Sequence, residues 1–184
     1  FQPPAGYNAG LFTASGLPTF ATWNPSDKSA NITLSSGNLK GTQSAAGMVR
    51  SSLSQSSGKW YWEVTVGSVY GLHGIAAASA NTLYYPGQAA DSWGWNRDGN
   101  VLAGGTVIGT NSAYTTGDIL GFALDCDAGT LTFYKNGAVQ SFVVTGLSGS
   151  LYPASGGSSS GATYTANFGA TPFTYAPPAG YNHG

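Results

Sequence analysis

Polar and apolar positions alternate along residues 59–66. Trp60, Trp62, Val64 and Val66 share one face, and Lys59, Tyr61, Glu63 and Thr65 share the other, the pattern of a half-buried strand. A short apolar run, 118–124, ends at Asp125. Asp127-Ala128-Gly129 then signals a turn into the alternating stretch Thr130-Leu131-Thr132-Phe133-Tyr134. Asn136-Gly137 follows, a dipeptide suited to a two-residue hairpin because both central positions need positive φ, and 138–144 reads as the return strand. Together these segments predict a three-stranded meander. Further strands are predicted over 32–34, 48–53, 72–78, 92–96, 151–154 and 162–168. No window shows an apolar period of about 3.6 with caps. Many short strands separated by Gly, Ser and Asn turns predict an all-β sandwich or barrel.

Composition narrows the class further. Gly, Ala, Ser and Thr supply 92 of the 184 residues and only 7% are charged, against about a quarter in an ordinary soluble domain. So little charge argues against a coiled coil or an exposed helical bundle. The 13% aromatic content separates the chain from disordered segments. One globular domain is expected at this length. With a net charge of −1 and no run of Lys or Arg, the chain has no footprint for a polyanion, so nucleic acid is not an expected partner. No apolar stretch approaches the roughly 20 residues of a membrane span, so membrane insertion is not expected either. The single cysteine, Cys126, excludes an intrachain disulfide and a multi-cysteine metal site. Pro3-Pro4-Ala5-Gly6-Tyr7-Asn8 recurs without change as Pro177-Pro178-Ala179-Gly180-Tyr181-Asn182. Two readings are open: a period of one whole domain in a tandem array, or similar edge segments packed side by side at the two ends of one domain.

Several motifs occur in a fixed order. Ser57-Gly58-Lys59-Trp60-Tyr61-Trp62-Glu63-Val64 comes first, then Ser92-Trp93-Gly94-Trp95 with Asp98-Gly99. Tyr114-Thr115-Thr116-Gly117-Asp118-Ile119-Leu120-Gly121-Phe122-Ala123-Leu124-Asp125 runs into Gly129-Thr130-Leu131-Thr132-Phe133-Tyr134-Lys135-Asn136-Gly137. Leu151-Tyr152-Pro153-Ala154 and Asn167-Phe168-Gly169 close the series. The series resembles the SPRY domain, a member of the concanavalin A-like sandwiches, over residues 45–169. The resemblance implies two curved antiparallel sheets in a jelly-roll sandwich. It also implies a module that binds rather than catalyses, holding its ligand with loops at one end. Residues 1–44 are left as N-terminal edge strands and a join, and 170–184 as a Pro-rich C-terminal segment. The chain is also similar to SPRY-like modules of bacteriophage and other viral structural proteins, in which a Pro-Pro-x-Gly-Tyr/Phe segment follows the Asn-Phe-Gly close. That likeness implies a surface appendage that recognises a host, and an extracellular or virion-surface location.

Catalytic alternatives find little support in the residues. A glycosidase needs paired carboxylates about 5 to 9 Å apart, and the lone glutamate, Glu63, reads as a structural, hydrogen-bonded carboxylate. Asp125 and Asp127 read as an Asx turn rather than a cation loop. Cys126 has no neighbouring His in sequence, and no serine lies in a Gly-x-Ser-x-Gly elbow. No cofactor and no metal are expected. The better candidates for ligand contact are Tyr70 and His73 after the Trp60 strand, Tyr84 and Tyr85 in the 81–91 segment, and Trp95 and Arg97 on the next strand and turn, with Tyr84, Tyr85 and Arg97 in loop-like surroundings. The expected partner is a protein or a carbohydrate, with copies of the chain itself as a further possibility.

Overall fold

Period-two patterning becomes strands throughout the described chain, residues 20–68 and 70–183 of a computed structural model. The first copy of the repeated hexapeptide, 3–8, lies outside the described residues. One sheet contains, in spatial order, β1 (Trp23–Lys28), β4 (Gly47–Ser51), β13 (Leu151–Gly157), β6 (Gly71–Ala77), β7 (Ser92–Asn96), β8 (Asn100–Ala103) and β9 (Thr106–Thr110). The other contains β12 (Ala138–Val144), β11 (Thr130–Lys135), β10 (Ile119–Asp125), β5 (Lys59–Val66), β14 (Thr163–Asn167), β3 (Lys40–Gln43) and β2 (Ile32–Ser35). Every ladder along these two paths is antiparallel. β15 (Asn182–His183) adds a parallel bridge to β5.

Register explains why the aromatic residues meet. Trp62 lies opposite Phe122, and Phe122 lies opposite Phe133, so their side chains project to the same face of neighbouring strands. Trp62 stacks on Phe122 at 5.3 Å, Phe133 meets Phe122 edge-on at 5.8 Å, and Trp95 from the facing sheet reaches Phe133 at 5.6 Å. Trp23, Tyr164 and Phe168 extend the same core. The result is the two-sheet antiparallel sandwich that the resemblance implied.

The predicted meander is present, with Asn136 at φ 50° and Gly137 at φ 80° in its hairpin. All six further predicted strands form within a few residues of their expected bounds. Strands β1, β3, β8 and β9 lie outside the predicted set, since they are short, polar or Gly-containing and hold their places through neighbouring strands. The outer face of β5 is also drier than its alternation predicts, for Tyr61 and Glu63 are buried. Residues 173–183 cross that face and seal it. The outer face of the first sheet has a cover as well, where the 78–91 connection packs Ala80 and Ala89 on Met48, Ala76 and Ala154. Arg50 ties this connection down. It forks onto Asp27 through Nε and Nη2 at 2.8 and 2.7 Å, while Nη1 donates to the carbonyls of Ala77 and Ala80.

Candidate functional site

Pairing places three chain segments at one end of the first sheet. Leu72 opposite Asn96 sets the start of β6 beside the end of β7, and Gly157 opposite Gly71 brings the end of β13 alongside. Between them opens a cleft of about 310 Å³ lined by Tyr70, Gly71, Leu72, Asn96, Arg97, Asp98, Ser158 and Ser159. The β7–β8 turn that presents Arg97 and Asp98 is built locally. Asn96 Oδ1 accepts the N–H groups of Asp98 and Asn100 at 3.0 and 2.9 Å, and Gly99 takes φ 91°.

Arg97 holds its guanidinium 5.8 Å from the centroid of the Tyr70 ring, with Nε 3.5 Å from Asp98 Oδ1. Both anchors are open to solvent, Tyr70 at 51% and the Arg97 side chain at 48% exposure. Beneath them Tyr114 acts as a brace. Its hydroxyl donates to Gly71 O at 2.7 Å and lies 3.1 Å from Trp95 O, and its N–H donates to Arg97 O at 2.9 Å. Burial pushes the Tyr114 phenol far above its ordinary range, so it stays a neutral donor.

Of the six candidates, the structure brings Tyr70 and Arg97 together. Tyr84 is exposed and Tyr85 half-buried, but both belong to the 78–91 connection, which leaves from the opposite end of β6, and neither lines the cleft. His73 and Trp95 require correction as ligand contacts. They pair across β6 and β7, both project inward, and both are fully buried in the core. His73 Nδ1 lies 3.0 Å from Ser155 Oγ, which resembles a nucleophile and its base, yet both residues are sealed from solvent and burial lowers the imidazole pKa to about 3. Ser158 and Ser159 are site residues that the sequence pattern does not single out. Their Ser-Gly-rich surroundings read only as loop, and their place on the cleft depends on β13 pairing with β6.

The carboxylates have structural work. Glu63 is 2% exposed, and its two oxygens accept the N–H groups of Thr174 and Tyr175 at 2.9 Å each, which closes it to a glycosidic substrate. Asp125 accepts the N–H groups of Ala128 and Asp127 and pairs with Lys59 at 3.0 Å, forming the expected Asx turn. The Ala128 N–H, followed by the Lys59 ammonium, holds the Asp125 carboxyl below the usual range. Among the described residues no group of three His, Cys, Asp or Glu side chains could hold a metal ion.

Comparison with known proteins agrees with the fold. The family model described as SPRY domain matches residues 59–171. Ran-binding protein 9 of Xenopus tropicalis is 31% identical over 173 residues, covering 86% of this chain and 32% of that protein. The Ran-binding proteins 9/10 homolog of Drosophila melanogaster is 30% identical over 176 residues, covering 88% of this chain and 18% of that protein. The chain therefore spans about a third or less of the length of these relatives. The crystal structure of the SPRY domain of human HERC1 superposes with a TM-score of 0.69 at 21% identity, over 82% of this chain and 99% of that one. These relatives are eukaryotic Ran-binding proteins, which overturns the expected extracellular or virion-surface location. They also give no support to a phage or viral setting or to host recognition.

Proposed function

Because the chain belongs to the SPRY family, a family of protein-interaction modules, we propose that it is a non-enzymatic module gripping a segment of a partner protein in the Tyr70–Arg97 cleft. The observation that carries this reading is the Arg97 guanidinium, poised over the Tyr70 ring at an open cleft on a surface almost without charge. The chain has two arginines, and Arg50 is committed to Asp27 and to two backbone carbonyls. Arg97 has one loose, exposed ion pair with Asp98, and such a pair is worth little in water. A partner that covers the cleft desolvates the cation and its aromatic support together, which is how Arg and Tyr become energetic anchors of an interface. Ser158, Ser159 and Asp98 supply hydrogen-bonding groups around them.

Two probes suit the test: Ran, which the names of the relatives say those proteins bind, and peptides selected on the chain from a displayed random library. Arg97→Ala and Tyr70→Ala are each expected to weaken a selected peptide by about tenfold or more. Tyr84→Ala is expected to leave its affinity unchanged. Selected peptides, or Ran, that bind the Arg97→Ala and Tyr70→Ala chains as tightly as the parent chain overturn the assignment of the cleft.

A further inference from the structure

The outer face of the second sheet holds a slot filled by the C-terminal segment, and the chain carries another segment of the same design. Phe173 meets Tyr61 edge-on at 5.0 Å, and Glu63 accepts the next two N–H groups, those of Thr174 and Tyr175. The Tyr175 ring lies against Gly137, where an added methyl group would stand 2.6 Å from Cδ1. Gly180 turns the chain at φ 85°, Tyr181 faces Lys59 Nζ at 5.9 Å, and Asn182 and His183 pair in parallel with Trp60 and Tyr61. That pairing uses the β5 edge just past Glu63, where β14 leaves it.

Residues 1–10 repeat residues 175–184 at the positions that carry the Tyr175, Gly180, Tyr181 and Asn182 contacts of this slot. Phe1 stands for Tyr175, the six residues from Pro3 to Asn8 are identical to those from Pro177 to Asn182, and Gly10 stands for Gly184. The aromatic ring, the glycine at the turn and the tyrosine over Lys59 all have counterparts, and the β5 pairing needs only backbone. We propose that the slot is a peptide-binding site for an aromatic-x-Pro-Pro-Ala-Gly-Tyr-Asn segment, and that residues 1–10 of the same chain are its second ligand, exchanging with 175–184.

The described chain begins at Phe20, close to Trp23, whose ring packs 5.1 Å from Phe168, just beyond the end of β14. Twelve steps from Asn8 to Phe20 span up to about 40 Å, more than the length of the whole β5 strand at roughly 3.3 Å per residue. A tether this short holds its segment at a local concentration near millimolar, which favours the chain's own copy over that of a second molecule. In the resident segment the Phe173 ring on Tyr61 and the Thr174 N–H on Glu63 add to the grip.

Disulfide trapping in the full chain tests the exchange. With Cys126→Ser removing the native thiol, Tyr7→Cys is combined with Lys59→Cys. The intrachain 7–59 disulfide is expected as a minor product, rising about fivefold or more when Phe173→Ala removes the resident's aromatic anchor. Thr174→Pro, which deletes one donor to Glu63, is expected to act in the same direction, and near-UV circular dichroism of the tryptophan cluster verifies that each variant is folded. The proposal fails if no 7–59 disulfide forms in these chains while the control pair, Lys59→Cys with Tyr181→Cys, closes. It also fails if the Tyr7→Cys thiol links as readily to one introduced by Thr106→Cys, at an exposed position on the edge strand of the other sheet. A disulfide between chains, seen as a covalent dimer, overturns it in favour of binding by a second copy.

Discussion

The imidazole of His73 lies 5.4 Å from the Tyr164 ring and 6.0 Å from that of Tyr114, and burial holds its pKa at about 3 against about 6.5 in an unfolded chain. Below pH 6.5 the unfolded state therefore takes up a proton that the native state refuses. Stability is lost as pH falls from about 6.5 toward 3, at roughly 1.4 kcal/mol per unit. The lowered pKa of Asp125 acts in the same direction, but only below about pH 4, the carboxylate's unfolded value. The midpoint of urea unfolding is expected to drop between pH 6.5 and pH 4 by the equivalent of about 3 kcal/mol, and His73→Asn is expected to flatten that dependence even though it lowers stability at pH 7. A variant with the parent's pH profile would place the acid sensitivity elsewhere. In the sequence, His73 reads as a loop contact because it follows Tyr70 closely. Its inward direction is set by its pairing with Trp95 across two strands.

At the scale of elements, the β11–β12 hairpin was legible because its determinants are local. Asn136 and Gly137 both adopt positive φ, and the Asn136 side chain accepts the Ile119 N–H and donates to Asp118. The same glycine receives the Tyr175 ring, a second demand that no short-range pattern carries. Gly137→Ala is expected to cost about 1–2 kcal/mol for the left-handed backbone alone, with an additional loss from displacement of Tyr175. The urea midpoint measures the total, and amide exchange at Tyr175 separates the second part. Strands β1 and β3 were not legible. β1 contains Asn24, Pro25, Ser26 and Asp27, and it survives as an edge strand, where proline is tolerated. β3 has no large apolar residue and is strand because β2 and β14 flank it.

The whole molecule is a sandwich whose two outer faces are each partly covered, by the 78–91 connection on one sheet and by residues 173–183 on the other. Removing residues 172–184 uncovers Tyr61 and leaves Glu63 without its two backbone donors. The expected loss is on the order of 3 kcal/mol, read as a lowered urea midpoint, and Glu63→Ala in the full chain should reproduce only part of it. An equal midpoint for the full chain and for a truncated chain that also lacks residues 1–10 would mean that the segment seals nothing. The all-β class, the meander and the Asx turn were determined by the amino-acid sequence alone. Each depends on alternation or on contacts within a few residues, where geometry follows from residue type. The Tyr70–Arg97 cleft, the inward turn of His73 and Trp95, and the partners of Glu63 were decided only by the tertiary structure. They join positions on separate strands and loops, as far as 112 residues apart for Glu63 and Tyr175, and which strand edges meet is a property of sheet order that no local pattern contains.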